Sequence, residues 1–168
     1  QITWSNGEAT ISDRGPGLEL RHFALGISEK DSPYSRGQFG EGLKLAIMVL
    51  ARSGRGCTIL SNGRKITPVI REHSQLGTPT LHLVIEKSRK RSGTEIVVQC
   101  SEEEYQSARE KFVELDEGIS WLDHSAGISL PAGRIYVNGT LVGRHNALFS
   151  YHFTHANADS LMNRDRSI

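Results

Sequence analysis

The chain has 168 residues, a length that suits one domain burying roughly 70% of the surface its unfolded form exposes. Its 20 Lys and Arg residues nearly balance 19 Asp and Glu residues, so the overall charge gives no reason to expect binding to nucleic acid or an anionic membrane. No apolar run approaches the roughly 20 residues that span a bilayer, and no leader peptide opens the chain, so we expect a cytoplasmic protein without a membrane partner.

The first part of the chain predicts a hairpin, a short helix and a long loop. The hairpin turns at Asn6-Gly7, because both residues of this dipeptide tolerate positive φ, and it ends at Asp13. Residues 18–25 form the predicted helix. Residues 26–42 are rich in Gly, Ser, Asp and Pro and predict a loop.

The middle and the end of the chain predict helices and strands without the regular alternation of a parallel sheet. Residues 41–52 are apolar on nearly all sides and predict a mostly buried helix. Four strand-like runs follow and predict an antiparallel meander, at 57–61, 66–71, 80–86 and 94–100. A helix over 101–115, begun by a capping box, and a hairpin at Asn138-Gly139 complete the pattern.

These elements predict an α+β fold, a two-layer sandwich whose sheet is mixed and largely antiparallel. We expect one domain over residues 1–168. Its chemistry-bearing motifs lie in residues 8–115, and residues 116–168 form a C-terminal extension with a hairpin.

The first cluster with chemical potential is Asp13-Arg14-Gly15-Pro16-Gly17, at the end of a predicted strand. Glycines let the backbone turn sharply and approach a flat ligand, while a carboxylate offers only acceptors, as an adenine amino group requires. Asp-x-Gly also occurs in ordinary turns for conformational reasons, so this cluster alone does not separate a binding site from a turn.

The second cluster is the run Gly37-Gln38-Phe39-Gly40-Glu41-Gly42, which leads into the predicted helix. Unhindered backbone N–H groups at a helix N-terminus favour phosphate. The alternative is a flexible loop that only caps the helix. The spacing excludes the P-loop pattern and the G-x-G-x-x-G pattern of dinucleotide-binding folds.

In this order the two clusters resemble the second and third nucleotide-binding motifs of the GHKL ATPase superfamily, which includes gyrase, MutL, the ATP-driven chaperones and sensor histidine kinases. Gly93-Thr94, opening the run EIVVQC, resembles the Gly-Thr strand that closes the adenine pocket. The strands between Gly42 and Thr94 resemble the gyrase, MutL and chaperone branches more than the kinases. The resemblance implies a Bergerat-type fold.

The resemblance implies a role for each matching residue. Asp13 accepts the adenine amino hydrogen with help from the Thr94 hydroxyl, and Gly15 and Gly17 shape the adenine and ribose wall. Lys30, in the run GISEKDS, reaches a phosphate. The backbone N–H groups that wrap the β- and γ-phosphates belong to Gly37, Gln38, Phe39, Gly40 and Gly42. Lys44 has two open interpretations, a phosphate contact or a side chain that extends to solvent.

One departure from the family pattern concerns catalysis. The family places a helix before the Asp-x-Gly-x-Gly strand, with a Glu that activates water and an Asn that holds Mg²⁺, and only twelve residues precede Asp13. We expect a fragment whose parent binds ATP and Mg²⁺ and hydrolyses ATP, and which is inactive alone because the magnesium ligand and general base lie upstream.

Two other interpretations stay open: a module that binds nucleotide without hydrolysing it, and an α+β interaction domain whose glycines serve the fold alone. Within the leading interpretation, the expected partners are ATP, a second copy through nucleotide-dependent dimerisation and other domains of a longer parent. The basic run Lys87 to Arg91 is interpreted as a solvated hairpin tip or a phosphate contact. The two cysteines predict buried free thiols, and the seven histidines show no metal-binding spacing.

Overall fold

The fold is described from a computed structural model, which covers residues 1–24, 41–75, 77–89, 92–113, 115, 120–123, 128–130 and 132–153, with the backbone alone over 120–123 and 128–130. The chain divides into two compact units, Gln1–Glu102 and Glu103–Ile168. Each unit contains its own sheet, and the pairing is mostly antiparallel. The prediction of an α+β fold is confirmed at this level.

The first unit contains a six-stranded sheet in the order β1-β2-β6-β3-β4-β5, with every pair antiparallel. Its strands are β1 (Ile2–Ser5), β2 (Glu8–Ser12), β3 (Cys57–Ser61), β4 (Arg64–His73), β5 (Thr78–Lys87) and β6 (Thr94–Gln99). A 3-10 helix, Leu20–Phe23, and helix α1, Gly42–Arg52, belong to the same unit. The 3-10 helix is shorter than the helix predicted over 18–25, and residue 25 lies outside the described residues.

Three Asn-Gly dipeptides form hairpin turns, because Asn and Gly accept positive φ more readily than other residues do. Asn6 and Gly7, with φ of 52° and 80°, join β1 to β2. Asn62 and Gly63, with φ of 48° and 72°, join β3 to β4. The predicted hairpin at residue 6 and the predicted break between the strand runs 57–61 and 66–71 are confirmed.

The predicted meander of four strands is correct for β3, β4 and β5 and wrong for β6. Strand β6 pairs with β2 and β3, so it lies in the middle of the sheet rather than beside β5. The four residues from Glu95 to Val98 are all half-buried, on both faces of the strand. A short apolar strand of this kind gains more burial between two neighbours than at an edge, which explains the crossover.

Helix α1 packs mainly against β3 and β4 and forms the core of the first unit. Ile47, which is 2% exposed, lies against Cys57, Ile59 and Ile66. The opposite face of the helix is open, with Val49 57% exposed. The prediction of a mostly buried helix is therefore wrong, since a single sheet layer covers only one side of it.

The second unit contains a five-stranded sheet in the order β10-β9-β11-β8-β7, in which β11 runs parallel to β9. Its strands are β7 (Ser120–Asp123), β8 (Ile128–Leu130), β9 (Arg134–Val137), β10 (Thr140–Arg144) and β11 (Ser150–Phe153). Asn138 and Gly139, with φ of 47° and 80°, turn the predicted hairpin between β9 and β10.

Helix α2 covers Glu102–Arg109 and begins where the sequence predicts. The predicted continuation to residue 115 is wrong, since Phe112 forms a β-bridge with Thr140. Within the described part of the chain, neither α-helix has the length and apolar character needed to cross a bilayer.

Candidate functional site

Three polar residues lie side by side where three neighbouring strands end. Ile11, Ile96 and Ile59 are directly opposite one another on β2, β6 and β3. Residues two positions apart on a strand share a face, so Asp13, Thr94 and Ser61 form the next row on that face. The backbone hydrogen bonding between β2 and β6 continues to this row, since the Asp13 N–H donates to the Thr94 carbonyl at 3.0 Å. We call these three residues the polar row.

Ser61 occupies the centre of the polar row and is 1% exposed. Its Oγ accepts the Leu18 N–H at 2.8 Å and donates to the Gly93 carbonyl at 3.2 Å. The Ser61 and Thr94 hydroxyl oxygens are also 3.2 Å apart. Ser61 therefore joins the strand end at β3 both to the start of β6 and to the glycine-rich segment after Asp13.

Asn62 makes a second connection to the same segment. Its side-chain N–H donates to the Leu18 carbonyl at 3.1 Å. Together, the bonds from Ser61 and Asn62 satisfy both backbone groups of Leu18, whose side chain packs against the core. The segment from Asp13 to Leu18 thus crosses the ends of three strands and is fixed at its far end.

The glycines of this region are required by close packing. Gly17 has φ of 87°, and a Cβ there would lie 2.8 Å from Ser61 Oγ and from Asn62 Oδ1. Gly93 has φ of 75°, and a Cβ there would collide with the Asp13 carbonyl. Gly15 donates its N–H to Asp13 Oδ1 at 2.7 Å, which fixes the carboxylate. No other residue type fits Gly17 or Gly93 without strain.

Within the part of the chain that the structure describes, the two oxygens of the Asp13 carboxylate differ in their hydrogen bonding. Oδ1 holds the Gly15 N–H, whereas Oδ2 has no hydrogen bond to the residues that the structure describes. Beside it, the apolar face of β2 lies outside the part of the sheet that α1 mainly covers, and Ile11 is 43% exposed. An apolar floor with an acceptor at its edge suits a flat ligand that carries a hydrogen-bond donor.

The structure brings together four of the residues predicted from sequence, namely Asp13, Gly15, Gly17 and Thr94. Gly42 is the first residue of α1, which packs on the same face of the sheet, and the helix begins without a hydrogen bond from its N-cap side chain. The remaining predicted residues, Lys30, Gly37, Gln38, Phe39 and Gly40, lie outside the described residues.

Sequence reasoning missed Ser61 and Asn62. Positions 57, 59 and 61 of β3 are all buried and alternate with half-buried positions. A serine that takes the place of an aliphatic residue in such a period-two pattern is the signal that marks Ser61. The Asn62-Gly63 dipeptide by itself indicates a turn, whereas the side-chain bond of Asn62 to Leu18 depends on long-range folding.

Lys44 lies in the first turn of α1 and is 5% exposed. The interpretation in which its side chain extends to solvent is therefore wrong.

Among the described residues, no group of three or more His, Cys, Asp or Glu side chains is placed to hold a metal ion. Cys57 is a buried free thiol, as predicted, and Cys100 is half-buried.

No family model matches the chain. It is similar to an uncharacterized protein of Mycoplasma pneumoniae, with 31% identity over 174 residues. The match covers 96% of this chain and 70% of that protein, so it extends over both compact units.

Proposed function

We propose that this chain, which belongs to the same family as the Mycoplasma pneumoniae protein, is the ATP-binding domain of a GHKL-type ATPase. The observation that carries the proposal is the polar row, since Asp13 and Thr94 come from distant parts of the sequence and are joined by a backbone hydrogen bond of 3.0 Å. In this proposal the first unit is a Bergerat-type fold.

The residues of the site fit an adenine base. Asp13 Oδ2 is an acceptor next to an exposed apolar surface, and an adenine amino group is a donor on a flat ring. Gly15 and Gly17 leave the wall of the site free of side chains. Gly17 also lets the segment lie directly on Ser61 and Asn62. Asp13 then orients the base, and Thr94 is the second residue on the edge that the base faces.

The phosphate end is assigned to the N-terminus of α1. Gly42 opens this helix, and free N–H groups at a helix start attract phosphate. Gly37, Gln38, Phe39 and Gly40 would supply further N–H groups, and Lys30 a positive charge. Over the described ranges, no group of three or more His, Cys, Asp or Glu side chains could hold a metal ion.

The biological role that we infer is a cytoplasmic conformational switch. Binding of ATP at a site made from three strand ends and a helix start favours one arrangement of the segment between them. Contacts with a second copy or with other domains of a longer parent then change with nucleotide. Hydrolysis of Mg-ATP resets the switch in the full-length parent.

The test is calorimetric titration of the full-length protein with ATP in the presence of Mg²⁺, comparing it with Asp13→Asn. The variant loses a charge-assisted hydrogen bond, so we expect ATP binding to weaken roughly 10- to 100-fold. Its stability should change little, because the side-chain oxygen of the introduced asparagine still accepts the Gly15 N–H.

Glu8→Gln is the matched control, since it removes an exposed carboxylate from β2, the strand that leads to Asp13, at the end remote from the site. It should bind ATP as the unaltered protein does. Absence of ATP binding by the full-length protein, or equal affinity in Asp13→Asn, contradicts the proposal. Binding without release of phosphate would instead identify the non-hydrolysing sensor.

A further inference from the structure

We propose that Ser61 is a positioning residue that determines which base the site accepts, by fixing the direction of the Thr94 hydroxyl proton. This inference rests on the proposed function and adds the cause of its base selectivity. It assigns a role to a side chain that contacts no ligand, because Ser61, beside Thr94 in the polar row, is 1% exposed.

The proton directions follow from counting donors and acceptors around Ser61. A serine hydroxyl has one proton to donate and two lone pairs to accept. The Leu18 N–H can only donate, and it occupies one lone pair at 2.8 Å. The buried Gly93 carbonyl can only accept, and Ser61 is its hydrogen-bond donor at 3.2 Å. The single Ser61 proton is therefore used on Gly93, since a buried acceptor without a donor is unfavourable.

The remaining partner of Ser61 is Thr94, whose hydroxyl oxygen is 3.2 Å away. Because the Ser61 proton is directed to Gly93, Thr94 must be the donor of this bond. The Thr94 oxygen then has only lone pairs left for a ligand. The Asp13 carboxylate, on the residue whose N–H donates to the Thr94 carbonyl, is also an acceptor, so the polar row presents two acceptors and no side-chain donor to a base.

An edge made only of acceptors separates bases by the group at position 6 of the purine. The adenine amino group has two hydrogens to donate to this edge, whereas hypoxanthine has a single N1–H donor and an oxo group that places a further acceptor against the edge. Discrimination against a base that leaves polar groups unpaired is much stronger than discrimination by shape alone. The structure thus predicts preference for ATP over inosine triphosphate, and it assigns part of that preference to Ser61.

The experiment measures affinities of the full-length protein for ATP and for inosine triphosphate, with Mg²⁺, in the unaltered protein and in Ser61→Ala. Without Ser61, the Thr94 hydroxyl is free to donate to the oxo group. We expect the preference for ATP to fall about tenfold, the equivalent of one hydrogen bond. If Ser61 had a purely structural role, its replacement would weaken the binding of both nucleotides equally and leave the ratio of the two affinities unchanged.

Ser150→Ala is the matched control. Ser150 is equally buried and accepts the Arg134 N–H at 2.8 Å, but it belongs to the second unit. Its replacement removes a similar hydrogen bond and should leave the ratio of the two affinities unchanged. A ratio that shifts equally in Ser150→Ala and Ser61→Ala overturns the inference, since the effect then reflects general loosening.

Thr94→Val provides a second measurement if Ser61→Ala does not fold. Valine has nearly the shape of threonine but no oxygen to face the oxo group, so the preference for ATP should also fall. An unchanged preference in Ser61→Ala or, failing that, in Thr94→Val overturns the inference while ATP binding stands. If the unaltered protein binds neither nucleotide, the proposed function and this inference fail together.

Discussion

The three residues of the polar row differ in exposure in a way that suits recognition. Asp13 is exposed, Thr94 is 7% exposed and Ser61 is 1% exposed. The exposed Asp13 carboxylate is held by the Gly15 N–H, and the hydroxyls of Thr94 and Ser61, beside it in the row, lie within hydrogen-bond distance of each other. A functional group supported by buried neighbours keeps its geometry without the ligand, which lowers the entropic cost of binding.

At Gly17 we predict a stability cost that exceeds that of an ordinary glycine turn. Gly17→Ala and Gly7→Ala both place alanine at positive φ, with φ of 87° and 80°. Alanine at such an angle costs about 1–2 kcal/mol. The Gly17 variant also forces a Cβ to within 2.8 Å of Ser61 Oγ, whereas nothing lies within 4 Å at Gly7.

Urea denaturation of the two variants measures this difference. Gly17→Ala should lose at least about 1 kcal/mol more unfolding free energy than Gly7→Ala, because overpacking adds to the backbone strain. Equal losses would show that the segment does not lie directly on Ser61 and Asn62.

Cys57 gives a prediction of pH dependence. Burial raises the pKa of the Cys57 thiol, since the thiolate is poorly solvated inside the core. The unfolded chain releases this proton above about pH 8.5, while the folded chain retains it to higher pH. The contribution of Cys57 to stability is therefore complete below that pH and is lost as the pH rises through the raised pKa.

We expect the unfolding free energy to fall more steeply above about pH 8.5, the ordinary thiol pKa, in the unaltered protein than in Cys57→Ala. Iodoacetamide should modify half-buried Cys100 before Cys57, because alkylation needs an accessible thiolate. Parallel pH profiles in the two proteins would contradict this assignment.

At the scale of single elements, α1 shows most clearly how tertiary structure overrides a sequence pattern. Its sequence is apolar on nearly every side, yet only one face meets the sheet. The sequence determined that residues 42–52 form a helix. It did not reveal that Lys44 is buried while Val49 is exposed, since helical periodicity loses its information when most positions are apolar.

The two faces of α1 should respond differently to truncation. Ile47→Ala removes a side chain that is 2% exposed from the core and should cost about 2–5 kcal/mol of unfolding free energy. Val49→Ala shortens a side chain that is 57% exposed and should change stability by about 0.5 kcal/mol or less. Chemical denaturation distinguishes them, and a large cost at Val49 would show that this face is covered.

Strand β6 is the element that assembles the polar row. A strand placed beside β5, as the meander predicts, would separate Thr94 from Asp13 by the width of the sheet. Insertion between β2 and β3 instead puts Thr94 directly between Asp13 and Ser61. The resemblance to known motifs pointed to Asp13 and Thr94 together, whereas strand patterns alone placed them apart.

At the scale of the whole molecule, the proposed binding of ATP should stabilise the folded protein by mass action. At an ATP concentration about 100 times the dissociation constant, we expect the unfolding free energy to rise by about 2.7 kcal/mol. Thermal denaturation should show the corresponding rise in Tm. Alkylation of Cys57 should slow with it, if the thiol is reached only by unfolding.

Asp13→Asn at the same ATP concentration is the control, and its Tm should rise much less. A rise in Tm of equal size in both proteins would place ATP somewhere other than the polar row. A slower alkylation of Cys57 without any change in Tm would show that exposure of this thiol is a local event.

The sequence by itself determined the features that depend on neighbours along the chain. Turns at Asn6, Asn62 and Asn138 follow from the backbone preference of Asn-Gly, and the strands beside them follow from composition and alternation. Only the tertiary structure decided which strands are neighbours, and with that the contact of Ser61 with Thr94 and Leu18. Pairing between residues far apart in sequence depends on burial over the whole sheet, a property that no local pattern contains.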